Sequence, residues 1–145
     1  MKKLLIFLLL IICALAVAFM PYKKTTILKY GDLVFETEVR DTVKGRKIGL
    51  MNYDTLEKNQ AMLFVFKQSD YYGFWMKNMK FPIDILWLDE DYKIVDIRNE
   101  VPPCETEECA IYKPGKKAKY VLEIYSNLTN ELNMSTGEII NREDI

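Results

Sequence analysis

Apolar and polar positions alternate along most of the chain after residue 24, and the breaks in that alternation mark its elements. Residues 25–28 and 33–39 flank a Gly31-Asp32 turn, which predicts a hairpin. In its second arm Leu33, Phe35, Thr37 and Val39 share one face, while Val34, Glu36 and Glu38 take the other. A short helix over residues 42–51 follows, capped by Asp41 or Thr42. Residues 61–66 form an unbroken apolar run of buried-strand length, and residues 67–73 read as a polar loop. The richest stretch is 74–89, expected as two strand halves with Pro82, which cannot donate to a ladder, at their joint. Trp75 and Lys77 then face one way, and Phe74, Met76 and Asn78 the other. In the second half Ile83, Ile85 and Trp87 oppose Asp84, Leu86 and Leu88. A strand apolar on both faces belongs in the middle of a packed structure. Asp84 must therefore collect partners there or give up its charge.

After the acidic Asp89-Glu90-Asp91 turn, residues 92–101 return as the second arm of another hairpin. Residues 120–125 form a strand with Val121, Glu123 and Tyr125 on one side, so Glu123 repeats the problem posed by Asp84. Ser126 is placed to cap a short helix over 128–133, and Ile139-Ile140 is expected as a last strand before a charged tail. No internal repeat or low-complexity linker divides this pattern, which therefore describes one domain.

The first twenty residues obey a different rule. Lys2 and Lys3 precede an uninterrupted apolar run over 4–20, closed by Pro21 and Lys23-Lys24. This is the form of a signal peptide or membrane anchor. Ala14-x-Ala16 and Ala16-x-Ala18 offer cleavage sites, and the run is just long enough for a helix to reach across a bilayer. Residues 21–145 are thus expected as a single domain outside the cytoplasmic membrane, either anchored through residues 4–20 or secreted. In that compartment Cys104 and Cys109, five positions apart around an acidic loop, read as a disulfide.

Charge and composition narrow the chemistry. Of 20 basic and 21 acidic residues, only Lys2 and Lys3 precede Pro21, so the remainder carries 18 basic and 21 acidic side chains, a net charge of −3. That balance gives no support to a nucleic-acid surface. Histidine is absent, which removes Ser-His-Asp and Cys-His catalysis in their usual forms and every His-based metal site. No metal site or cofactor is expected, and Met51 and Met62 read as core fillers.

Several segments match one family pattern in order and spacing: Arg46-x-x-Gly49-Leu50-Met51, Met62-Leu63-Phe64-Val65-Phe66, Phe74-Trp75-Met76-Lys77-Asn78 and Pro82-Ile83-Asp84-Ile85. Pro103-Cys104 with Cys109 and Tyr112, and Val121-Leu122-Glu123, complete the set. Over about residues 25–142 the chain resembles the domain of unknown function 192 family. Met79 stands where that family usually has Thr, Ala61 where it usually has Gly, and Asn127 and Glu138 replace a frequent Gly and Asp. The resemblance implies a mainly antiparallel β-sandwich of jelly-roll type with one or two short helices, here behind an N-terminal hydrophobic helix. It implies frequent export and no particular activity.

Arg46, Trp75, Lys77, Asn78, Asp84 and Glu123 are the candidate site residues, polar or stacking groups set within apolar or motif segments. One reading gathers them at the mouth of the fold, where Trp75 stacks on a small polar or anionic ligand and Lys77 and Arg46 supply charge and hydrogen bonds. This makes the protein a binding module for such a ligand or for an envelope component. A second makes Asp84 and Glu123 a carboxylate pair acting on a glycan-like substrate. A third makes the embedded charges a buried network that only holds an interaction domain together.

Overall fold

Side-chain alternation sorts the strands' residues onto two sheet faces, and the central strands are largely buried on both. The computed structural model describes residues 23–143 together with Ile6. The N-terminal segment expected to anchor or export the chain lies outside them, apart from Ile6. Among the described residues no helix is long and apolar enough to cross a membrane. The elements are β1 (Thr25–Tyr30), β2 (Leu33–Arg40), α1 (Val43–Ile48), β3 (Gln60–Asp70), β4 (Ile83–Leu88), β5 (Ile94–Val101), β6 (Ala118–Tyr125), α2 (Leu128–Glu131) and β7 (Asn141–Glu143).

The seven strands hydrogen-bond in one mixed sheet of order β5-β4-β6-β3-β2-β1-β7. Where the resemblance implies a sandwich, the described strands make a single sheet. All neighbouring pairs are antiparallel except β2 and β3, which run parallel. A parallel pair needs a crossover, and residues 41–59 with α1 supply it. The segment after residue 136 links the two ends of this order. Ile140 and Ile94 donate to Tyr92 and Glu138 carbonyls, and the next three residues pair with β1.

One face carries Leu28, Phe35, Leu63, Leu86, Leu88, Leu122 and Ile124, covered by Leu128 of α2 and by Met134 and Ile140. The other carries Met62, Phe64, Ile83, Ile85, Trp87 and Val121. The expected division of β4 into two apolar faces is therefore what the structure has.

The stretch 74–78 is not a strand. Phe74 exchanges two backbone hydrogen bonds with Tyr112, and Cys104 donates to the Met76 carbonyl, both as isolated bridges. The segment is an extended strap laid over the second face. It keeps its alternation because Phe74 meets Phe64 edge-on at 4.8 Å between centroids and Met76 is buried. Other boundaries also differ from the sequence reading, and the helices expected over 42–51 and 128–133 span only Val43–Ile48 and Leu128–Glu131. β3 continues through the expected polar loop to Asp70. The last strand starts at Asn141, after Ile139 makes only a bridge to Lys93. Asn127 rather than Ser126 caps α2. The cap of α1 is Thr42, whose hydroxyl accepts from the Gly45 amide.

Asp84 is fully buried on the face of Leu86 and Leu88, and it solves its burial by collecting donors. Its Oδ1 accepts from the amides of Glu100 (2.7 Å) and Asn127 (2.8 Å), and its Oδ2 from the amide (2.8 Å) and hydroxyl (2.6 Å) of Thr129. Glu100 and Asn127 both adopt positive φ, 49° and 65°, a conformation uncommon for such residues. Asp84 thereby fixes the irregular register between β4 and β5 and the start of α2. Replacing Asp84 by Ala leaves these buried donors without an acceptor and is expected to cost more than about 3 kcal/mol of stability. Urea denaturation measures it, and a loss under about 1 kcal/mol would contradict the role assigned to Asp84.

Candidate functional site

The register across the sheet decides which candidate residues can meet. Asp84 pairs with Ile124, and Ile85 pairs with Glu123. Residues directly opposite share a face and successive residues alternate, so Asp84 and Glu123 lie on opposite sides of the sheet. They cannot act together on one substrate, and the carboxylate-pair reading loses its pair. Met62 is Glu123's partner on the other flank, so the Glu123 side chain rises between Met62 and Ile85 on the face of Trp87.

Above it the strap and the turn after α1 leave a small cleft lined by Glu123, Arg46, Gly49, Met51, Trp75, Lys77 and Met79, among others. Its ≈ 30 Å³ of space has room for about one or two waters. Glu123 is buried, and among the described residues its Oε2 has no hydrogen-bond partner. Burial alone pushes the Glu123 carboxyl up to about 8, so at neutral pH it is protonated and can donate. Asp84, by contrast, has four hydrogen-bond donors.

The rim is cationic and aromatic. Trp75 is 43% exposed, and the Lys77 ammonium sits 5.7 Å from its ring centroid, within range of a cation–π contact. Arg46 is partly committed to structure. Its Nη1 donates to the carbonyls of Asp41 (2.6 Å) and Val65 (2.9 Å), and its guanidinium lies 4.9 Å from the Phe66 centroid. It thereby clamps α1 to β3 while lining the cleft. Among the described residues neither Arg46 nor Lys77 forms a salt bridge.

Gly49 shapes the wall. It adopts φ 50°, ψ −128°, and a Cβ there would meet the Phe64 ring at 3.3 Å, so only glycine fits without strain. The sequence places Gly49 and Met51 in a motif but gives no sign that they wall the cleft. Met79 and Phe74 were equally hidden, because strap and turn meet only in the folded chain.

Thus the structure brings Arg46, Trp75, Lys77 and Glu123 together. Asn78 is exposed in a left-handed turn (φ 59°) just beyond Lys77 and borders a second opening with Cys104 and Thr106. Asp84 is remote, on the other face. Cys104 and Cys109 are disulfide-bonded, with Cα atoms 5.7 Å apart, and their loop flanks the strap through the Cys104–Met76 backbone bond. Among the described residues no three cysteines or carboxylates gather where a metal ion could sit.

A larger opening of ≈ 180 Å³ lies beside β2 and β3, but its partly buried carboxylate, Glu38, is paired. Glu38 accepts from Tyr53 (2.5 Å) and is paired with Lys23 and Arg40. Glu123 differs from Glu38 in having no such partner.

The raised Glu123 carboxyl makes stability depend on pH in a defined direction. Unfolded, the group returns to its ordinary 4.5; folded, it sits at about 8. The folded state holds the extra proton between those values, so this contribution is complete below 4.5 and is lost as pH rises through 8. Chemical denaturation is expected to show stability falling by up to about 1.4 kcal/mol per pH unit in that window, with the slope reduced by that amount in Glu123→Gln. An equal slope in both proteins would contradict the assignment.

The model of the DUF192 family, described as an uncharacterised ACR, matches residues 26–141. A crystal structure of a protein of unknown function from Novosphingobium aromaticivorans superposes with a TM-score of 0.72 at 24% identity, covering 82% of this chain and 84% of that one. Another, from Sinorhizobium meliloti and provisionally described as a transcription regulator, superposes with a TM-score of 0.75 at 25% identity, covering 85% and 97%. No curated protein matches the chain. With four-fifths of its length matched by the family model, the chain belongs to the DUF192 family.

Proposed function

We propose that the protein is a binding module whose cleft over Glu123 takes a small polar ligand. The observation that carries this reading is the buried, unpartnered Glu123 oxygen at the floor of an opening rimmed by Trp75 and Lys77. A buried polar group without a partner costs about 1–3 kcal/mol, and a purely structural carboxyl gains nothing from it. A ligand that reaches the floor supplies the missing hydrogen bond. Trp75 offers it a flat apolar face and Lys77 a charge. Asp84, by contrast, belongs to the fold alone. The linked ends of the sheet support a sandwich-like scaffold beneath this site.

The module works outside the cytoplasmic membrane, tethered or exported through residues 4–20. The Cys104–Cys109 pair supports this, since disulfides persist in oxidising compartments. Thiol titration of denatured, unreduced protein from the native host is expected to find neither cysteine free. Two free thiols from this pair would contradict the export reading.

The ligand reading is tested by a thermal-shift screen against sugars, nucleotides, peptides and metal ions, followed by tryptophan fluorescence. Trp87 is fully buried, so a ligand at the rim reports through Trp75. Lys77 has no salt bridge to break among the described residues, so Lys77→Met is expected to change stability by less than about 1 kcal/mol while weakening the ligand at least tenfold. A large stability loss without any ligand effect would make Lys77 a structural residue and remove the main rim contact from this account.

A further inference from the structure

Apart from Glu123 itself and the weakly accepting thioethers of Met51 and Met79, the side chains lining the Glu123 cleft are donors or apolar groups. Arg46, Lys47, Lys77 and the Trp75 indole N–H can only donate, and no side chain other than Glu123 offers an oxygen. Glu123 in its neutral form adds one more donor, a carboxyl hydroxyl, beside its buried and unpartnered Oε2. A cleft whose side-chain donors outnumber its acceptors is complementary to an acceptor-rich group. Three cations with no ionised carboxylate among the lining residues favour one that carries negative charge.

Resting on the reading of the cleft as a ligand site, we propose that the ligand is a small molecule bearing an oxyanion, carboxylate or phosphate, bound between the Lys77 ammonium and the Glu123 carboxyl acting as a hydrogen-bond donor. The contact is of the charge-assisted kind, O–H···O⁻ at the floor and N–H···O⁻ at the rim, the stronger class of hydrogen bond. Trp75 takes the uncharged body of the ligand.

A proton on Glu123 is then a condition of binding. The groups facing it from each neighbouring element identify it as the switch. β3 and β4 present the apolar Met62 and Ile85, α1 presents Arg46 and Lys47, and the strap presents Lys77. Beyond Met62, β2 carries Glu38, whose paired carboxylate is held below its ordinary value despite burial by Lys23, Tyr53 and Arg40. The chain has no histidine. Glu123 is the one carboxyl among the residues lining the cleft, and once ionised it repels the anion it held.

The test uses the full-length chain in detergent micelles and three probes sharing one pyranose ring: D-glucuronate, glucose 6-phosphate and D-glucose. Titration calorimetry at pH 6.5 is expected to show glucuronate, glucose 6-phosphate or both binding at least tenfold more tightly than glucose, the two arms separating carboxylate from phosphate. At pH 9 the affinity is expected to fall roughly tenfold, one unit above the Glu123 midpoint. Glu123→Gln, which keeps a donor and cannot ionise, should bind the anion at pH 6.5 and lose no more than about twofold at pH 9. Glucose binding as tightly as both anions overturns the proposal and leaves the ligand site standing. A pH loss that persists undiminished in Glu123→Gln overturns the role of Glu123. No binding of any of the three overturns the proposal as stated, whereas the site itself falls only if the wider screen also finds no ligand.

Discussion

A carboxyl group buried in a sheet either gathers donors from the chain around it or is left without them, and this chain does both on adjacent strands. Asp84 on β4 takes three amides and a hydroxyl, and those bonds hold the β4–β5 irregularity, two positive-φ residues and the head of α2 in place. With that corner fixed, β4 and β6 keep the register that sends Ile85, Trp87, Val121 and Glu123 to the other face. The position of Glu123 under the strap thus depends on the satisfaction of Asp84 behind it. One carboxyl is part of the framework, and the other, left without a partner, is the point at which the framework meets a ligand.

The strap carries the second half of the arrangement. Phe74 and Met76 bind it to the apolar face, so the intervening Trp75 and Lys77 are turned outward at the cleft. Tyr112 and Cys104 anchor it through the backbone, which places the disulfide loop directly beside the rim. Packing on one side of a short extended segment therefore presents chemistry on the other.

Much of this was legible in the sequence. Alternation gave the two faces of β4 and of β2, the hairpin at Gly31-Asp32 and the conflict posed by Asp84 and Glu123, because each depends on neighbours along the chain. What was hidden depends on pairing between distant segments. Strict alternation over 74–78 reads as a strand, yet the residues that would complete a ladder are replaced by single bridges to Tyr112 and Cys104. The parallel β2–β3 contact leaves no periodic mark, and neither does the return of residues 137–143 to both ends of the sheet. Whether Asp84 and Glu123 share a face turns on one register, Asp84 opposite Ile124, which neither strand reveals alone. The sequence could pose the question of two embedded carboxylates; only the register separates their roles.

The central claim is that Glu123 is a neutral, unpartnered carboxyl at the floor of the cleft under physiological conditions. Its direct measurement is a side-chain carboxyl ¹³C titration by NMR, with the Glu123 resonance assigned by its loss in Glu123→Gln. The account predicts a midpoint near 8, far above the ordinary 4.5. A midpoint at or below 4.5 would mean that the group is ionised and partnered in the folded protein, and would contradict the account at its base.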